Sequence, residues 1–513
     1  MAQQAADATL PGTPDAVLPG TSGRTLPNAA KMNPDGSLSP GVTNFAITPA
    51  MGDRCSAPGC GKHRIGAERM SELTALQGQR MSGPAITRQL GMPVSTVGAI
   101  RLRINCAARQ MSISGLRRRS VRPPSTRVLS VLRCEVRMPC TITQAERTQM
   151  GNRNRLKLGL FGANCSSGRA VTLAPERWSG TWPDCLRLAR MADEFGLEFM
   201  LPIGRWKGYG GDTDYQGATF ESVTWAAGLL AATKRLIVFG TVHAPLIPPL
   251  IAAKEFVTAD HIGEGRFGLN VVCGWNEGEF EMFGVTLRDH ETRYHYAQEW
   301  LDVIKLAWSP RENFDFAGQL ITVKGGRGKP KPFGGSRPLI MNAGASPTGQ
   351  AFAIRNCDAL FSNISNGISF DETAQHVRNV RAQASAAGRG IDVYTVGVVT
   401  CRPTARQAEA YYRHSVIDNA DWRAVDNILA MKNVTPDKYA PEEFQRLRNH
   451  QANGMGGLPL VGDPDHIASE MVQLSAAGLT GIAVSFVNYL DELPYFCAEV
   501  LPRLARLGLR ENP

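Results

Sequence analysis

From Leu156 onward the chain alternates short, nearly uninterrupted apolar runs with stretches of helical period, and this alternation restricts the fold more than any other feature. LKLGLFGANC is an apolar run of buried-strand length, followed by TWPDCLRLARMADEFG with helical spacing and a C-capping Gly196. EFMLPIG, LIVFGTVHAPL, FGLNVVCG, PLIMNAG, ALFSNI, VYTVGVVTC and GIAVSFVN repeat the strand pattern. Between them lie helical segments such as ESVTWAAGLLAATK, PPLIAAKEFVTADHI and RYHYAQEWLDVIKLAW. Strands that are apolar on both faces belong to a parallel sheet covered by helices. Eight such units over about 350 residues favour a closed (β/α)₈ barrel of the α/β class over an open sheet. A doubly wound fold would carry GxGxxG after its first strand, and GLFGANCSSG lacks that spacing.

The first 150 residues differ in texture. Of the chain's 56 Lys/Arg and 46 Asp/Glu, 19 and 8 fall in residues 1–150, a net of +11. The remaining 37 and 38 leave the rest of the chain at −1, so its surface charge does not point to nucleic acid. Residues 1–66, rich in Pro, Gly, Ser, Thr and Ala, are expected to be a disordered extension. Within residues 67–105, AERMSELTALQGQR and MSGPAITRQLGMPVSTVGAIRLR resemble the helix-turn-helix of insertion-sequence transposases, with Ser95 and Thr96 opening the recognition helix. No catalytic domain of that family follows, so the segment is read as a remnant or as upstream sequence ahead of Met150. Residues 106–152 are expected to be a basic, unstructured linker, and 153–513 the barrel.

Eleven scattered cysteines without a CxxC pair argue against a disulfide framework. Cys55, Cys60 and His63 lack a fourth ligand at a usual spacing, so no metal is expected. Neither a secretory signal nor an apolar run of about 18 residues is present, which points to a cytoplasmic protein without a membrane span.

Barrels carry their chemistry at the C-terminal ends of strands. That rule selects Gly204 and Arg205 after strand two, Thr241 and His243 on strand three, Asn270, Cys273 and Trp275 on strand four, and Asn342 to Ser346 on strand five. NAGASPTGQAFA sets Ser346 before a helix opened by Pro347, an arrangement suited to a phosphate. Arg293 and Tyr294 open the preceding helix and can face the same anion, although Arg293 has Asp289 and Glu291 as alternative partners. Cys273 reads as packing within a buried strand. The polar stretch 416–460, with NGMGG, interrupts the rhythm before the last unit and is either a lid or a surface excursion.

RFGLNVVCGWNEGEFEMFGV, ETRYHYAQEWLDVIKLAW, RPLIMNAGASPTGQAFAIRNCD and FMLPIGRWKGYGG with FESVTWAAGLLAATKRL resemble the bacterial-luciferase-like flavin monooxygenases, nearest to the pyrimidine oxygenase and alkanesulfonate monooxygenase group. The likeness spans residues 155–510 in order. It implies a barrel that uses O₂ and FMN as FMNH₂, delivered by a separate NAD(P)H:flavin reductase, and acts on a small organic molecule, as a homo-oligomer. Carried over from the pyrimidine oxygenases, the flavin contacts are Gly204, Arg205, Asn270, Glu279, Arg293, Tyr294 and Ser346. Thr241 and Asn270 match the pair that flanks flavin N5 and the oxygen site. His243 has no counterpart there and reads either as a proton donor or substrate ligand, or as a packed core residue. The alkanesulfonate enzymes place a His on strand seven and an Arg in the Gly-rich segment. Here VGVVTC has no His and Asn453 stands in place of the Arg, which puts a sulfonate substrate in doubt. Two other readings stay open: an F420-dependent hydride-transfer enzyme of the same fold, and a DNA-binding fusion whose barrel senses a ligand.

Overall fold

In the computed structural model, residues 141–511 are described, except 363 and 365–368. The chain divides into units 1–130 and 131–513, and every described residue lies in the second. The expected disordered extension, the helix-turn-helix remnant and the linker up to residue 140 therefore lie outside the described residues.

The strands are β1 (Lys157–Phe161), β2 (Phe199–Leu201), β3 (Ile237–His243), β4 (Phe267–Val272), β5 (Phe314–Ala317), β6 (Thr322–Gly326), β7 (Leu339–Asn342), β8 (Ala359–Phe361), β9 (Asp392–Cys401), β10 (Leu458–Gly462) and β11 (Gly481–Ser485). The helices are α1 (Gln144–Thr148), α2 (Trp182–Glu194), α3 (Ser222–Ala232), α4 (Pro249–Ile262), α5 (Glu277–Met282), α6 (His290–Trp308), α7 (Pro347–Asn356), α8 (Phe370–Ala386), α9 (Ala405–Tyr412), α10 (Trp422–Met431), α11 (Pro441–Ala452), α12 (Pro464–Ala476) and α13 (Tyr489–Arg506). Parallel pairings run β1–β2–β3–β4–β7–β8–β9–β11 and return to β1, closing the eight-stranded barrel that the alternation predicts.

The two-residue period of a strand decides what fills the barrel. Phe199 and Leu201, Ile237 and Phe239, Leu339 and Met341, Ala359 and Phe361, Tyr394 and Val396 form one buried interior cluster, with Met150 as a further member. Their neighbours, such as Val238, Leu269, Val271 and Ile340, join the helices in the outer core. Gly159 and Gly268 make room inside: a Cβ at either would lie within 2.4–2.5 Å of the Phe199 or Phe239 ring. By the same period Thr241, His243 and Asn270 point inward, at the C-terminal end.

Two features depart from the expectations. From Thr141 the supposed linker is folded. Helix α1 carries a capping box formed by Thr143 and Glu146, and Arg147 makes a buried two-pronged ion pair with Asp260 of α4. The strand-to-helix rhythm also hides an antiparallel β5–β6 hairpin between α6 and β7.

The stretch 416–460 forms α10 and α11 and ends in β10, which pairs with the last five residues of β9. Its apolar side, with Ala424, Val425, Ile428 and Leu429, packs on Val171 beyond β1 and on Tyr209 and Tyr215 beyond β2. Asp421 accepts from the backbone N–H groups of Asp212 and Thr213. The insertion is thus fastened over the loops at the C-terminal ends of β1 and β2. Among the described residues, no helix is long and apolar enough to cross a membrane.

Candidate active site

Strands β3 and β4 run in register so that Thr241 lies directly opposite Asn270. Asn270 Nδ2 donates to Thr241 Oγ1 at 3.2 Å, and Thr241 Oγ1 donates onward to the Pro202 carbonyl at 2.7 Å. The Ser222 hydroxyl clamps the Thr241 backbone, accepting from its N–H and donating to its carbonyl. Asn270 Oδ1 is left buried without a partner. An unmet buried acceptor of this kind costs free energy unless a ligand donates to it.

His243 follows on the same face of β3. Its Nε2 is 3.8 Å from Glu279 Oε2, and its Nδ1 has no partner. Burial draws the imidazole down to about 4, with Glu279 opposing and Arg205 reinforcing the shift. Burial thus favours the neutral imidazole over the imidazolium. Glu279, carried on the short α5, is fully buried. Its Oε1 accepts from Arg205 Nη1 at 3.0 Å and from the backbone N–H groups of Trp206 and Lys207, while Oε2 has no hydrogen-bond partner. The Arg205 guanidinium lies over the Tyr209 and Trp275 rings, 4.7 and 5.4 Å from their centroids. Gly204 and Arg205 lie just beyond β2, which ends at Leu201. A Cβ at Gly204 would meet the Thr241 carbonyl at 2.9 Å and His243 at 3.3 Å, so only glycine lets this loop approach β3 so closely.

A second group gathers over the ends of β4 and β7. Ser346 caps α7, its hydroxyl accepting from Gly349 N–H at 3.1 Å and lying 3.0 Å from His290 Nε2. Gly344 and Gly349 approach so closely that a Cβ on either would collide with the other, and one on Gly349 would also strike the Tyr294 hydroxyl. Arg293 Nη1 donates to the Gly274 carbonyl and makes no pair with Asp289 or Glu291, and its Nε is buried without a partner. These side chains, with Cys273 and Asn342, line a cavity of about 270 Å³. A helix N-terminus, a cap hydroxyl, a phenol and a guanidinium with a spare donor are a set suited to a phosphate. Cys273 is held in the outer core, its thiol pushed up to about 12 by burial, so it is no nucleophile at neutral pH.

The residues singled out in the sequence thus fall into two groups joined by β4. Gly204, Arg205, Thr241, His243, Asn270 and Glu279 form one, and Arg293, Tyr294 and Ser346 the other. The orphaned Asn270 Oδ1 and Arg293 Nε and the glycine-lined cradle fit a phosphorylated, planar, hydrogen-bonding cofactor spanning both. Near the site, the buried Arg169 went unread. Arg169, in the loop after β1, stacks over Phe161 at the top of the interior. No local period marks it, because its partners Gly454 and Met455 lie some 285 residues away.

The sequence model of the luciferase-like monooxygenases matches residues 157–481. The chain belongs to this family. The FMNH(2)-dependent dimethylsulfone monooxygenase of Pseudomonas putida is 31% identical over 69% of this chain and 96% of its own length. The pyrimidine monooxygenase RutA of Pseudomonas syringae pv. syringae is 27% identical over 68% of this chain and 96% of its own. Riboflavin lyase RcaE, crystallised with modified FMN and riboflavin, superposes with a TM-score of 0.62 at 23% identity, covering 70% of this chain and 93% of that one, a likeness of fold. Within the family, members differ in substrate, so the chemistry of this chain has to come from its own side chains.

Proposed function

We propose that the chain is a two-component flavin monooxygenase, using FMNH₂ supplied by an NAD(P)H-dependent reductase to place one atom of O₂ into a small organic substrate. The observation that carries the reading is the Thr241–Asn270 pair. It is the polar step at the end of an apolar barrel interior, with an Asn270 carbonyl oxygen that has no partner among the described residues. The reduced flavin, when bound, supplies the electrons that activate O₂. Ser346, Arg293, Tyr294 and the α7 N-terminus would hold its phosphate. Gly204 would leave room for the ring, and Arg205, fixed by Glu279, would contact it. Thr241 and Asn270 hydrogen-bond at the reacting edge without titrating, so they orient without donating a net proton. Phe161, Phe361 and Leu201 keep water from that edge. Neutral His243, with Nδ1 unpartnered, accepts a hydrogen bond from substrate.

The same reading carries a cytoplasmic enzyme, because the reductase draws on cytoplasmic NAD(P)H, and likeness to the family extends it to a homo-oligomer. The deciding experiment couples the full chain to a flavin reductase under ¹⁸O₂ and screens small sulfones, amides and pyrimidines by mass spectrometry. One labelled atom per product with FMNH₂ is expected. Saturation by reduced F420 alone, with no label in any product, would overturn it.

A further inference from the structure

Arg169 is 8% exposed, and its guanidinium lies flat on Phe161, 4.8 Å from the ring centroid. Phe161 packs on the interior cluster, so the cation caps the top of the barrel interior, where the reading above puts substrate. Nη2 donates to the Gly454 carbonyl, Nη1 lies 3.5 Å from Met455 Sδ, and Nε has no partner. No carboxylate pairs with it among the described residues, although the other buried arginines Arg147, Arg205 and Arg510 each have one. A buried cation without a counter-ion is costly, and the protein meets only part of that cost with a carbonyl and a ring.

The surroundings repeat the same bias. Gly454, Met455 and Gly456 all take left-handed backbone, which turns the Gly454 carbonyl onto Arg169. Met455 adopts this at φ 59° despite its side chain, a strained conformation that the fold maintains. Behind the turn, Asn453 is 1% exposed with Oδ1 unpartnered, and Gln451 has a buried, unpartnered Nε2. Lys432 is exposed as a residue, but its ammonium donates to Gln451 Oε1 at 2.8 Å, and partial desolvation there together with the Arg169 charge draws it down to about 8. The charged group that acts on this ammonium, Arg169, is thus itself a cation.

We propose that Arg169 is a specificity-determining residue that binds an anionic oxo group, a carboxylate or sulfonate, on the substrate at the mouth of the barrel. The proposal rests on the monooxygenase reading for the place of the substrate, but its test does not need turnover. The full chain is titrated calorimetrically with methanesulfonate and with dimethyl sulfone, which share a tetrahedral sulfur and differ in charge. FMN binding is followed in parallel by fluorescence quenching. Methanesulfonate is expected to bind more tightly, and Arg169→Met to weaken it about tenfold or more while sulfone and FMN binding stay unchanged. Lys432→Gln, at an exposed position, is expected to weaken methanesulfonate about two- to threefold at low salt, and it carries the test should Arg169→Met not fold. Equal binding of the two probes, or of methanesulfonate to wild type and both variants, overturns the proposal. So does loss of FMN binding in Arg169→Met, which would assign the guanidinium to the cofactor. Failure of FMN to bind the unaltered chain would instead sink the monooxygenase reading.

Discussion

Asn270 Nδ2 donates to Thr241 Oγ1 at 3.2 Å, and the bond fixes the carboxamide with Oδ1 buried and without a partner among the described residues. Thr241 keeps its own bond to the Pro202 carbonyl, so the strand geometry does not depend on Asn270. Asn270→Ala should therefore lose about a hundredfold in turnover while costing only about 1 kcal/mol of stability. Reductase-coupled product formation and urea unfolding measure the two. Turnover within a factor of two of the unaltered enzyme would remove Asn270 from the chemistry.

Arg147 makes a different kind of contact. Its guanidinium forks onto both oxygens of fully buried Asp260 and also reaches the carbonyls of Gly265 and Phe333. Removing it strands a buried carboxylate, which costs about 3–5 kcal/mol. Arg147→Ala should show that loss in chemical denaturation, and so should a chain beginning at Met150 compared with one beginning at Thr141. A difference below about 1 kcal/mol would mean that α1 is only appended to the barrel.

These two residues mark what the sequence could and could not reveal. The barrel strands were legible because both their faces are buried, leaving continuous apolar runs with polar residues only near their ends. Thr241, His243 and Asn270 stand out as such breaks. The role of Glu279 came from resemblance, since a lone acid on a six-residue helix has no period of its own, whereas Ser346 was legible as the residue before a helix opened by Pro347. Arg147 sits in a five-residue helix within a basic stretch, and its partner lies 113 residues on. Arg169 is the same case over a longer separation. Long-range pairs of charges leave no local trace, so a buried arginine reads like an exposed one.

His243 predicts a pH dependence. Its folded-state value of about 4 lies below the roughly 6.5 of an unfolded chain. The unfolded state therefore takes up the proton first as pH falls. The stability contribution is complete above about 6.5 and is lost on acidification towards 4, at roughly 1.4 kcal/mol per pH unit. His243→Gln removes that slope. The difference between the denaturation free energies of wild type and variant should shrink steadily between pH 6.5 and 4.5. A constant difference over that range would show that the ring is charged in the folded protein, and the neutral hydrogen-bonding role would fall with it.

The cradle at α7 gives the last expectation. Ser346 Oγ and the first N–H groups of α7 converge with Tyr294 and Arg293, whose Nε has no protein partner. If these groups hold the phosphate of FMN, their loss should be felt by FMN and not by riboflavin, which has the same ring and no phosphate. Ser346→Ala removes one neutral donor and should weaken FMN about three- to tenfold. Arg293→Met removes a charge-assisted contact and should weaken it about ten- to a hundredfold, less so as salt rises. Riboflavin affinity should move by less than about twofold in both, because the proposed ring contacts at Gly204, Arg205 and Asn270 stay in place. Fluorescence quenching of each flavin gives all of these values. Parallel losses for the two flavins would place the phosphate elsewhere and make Ser346 and Arg293 supports of the ring.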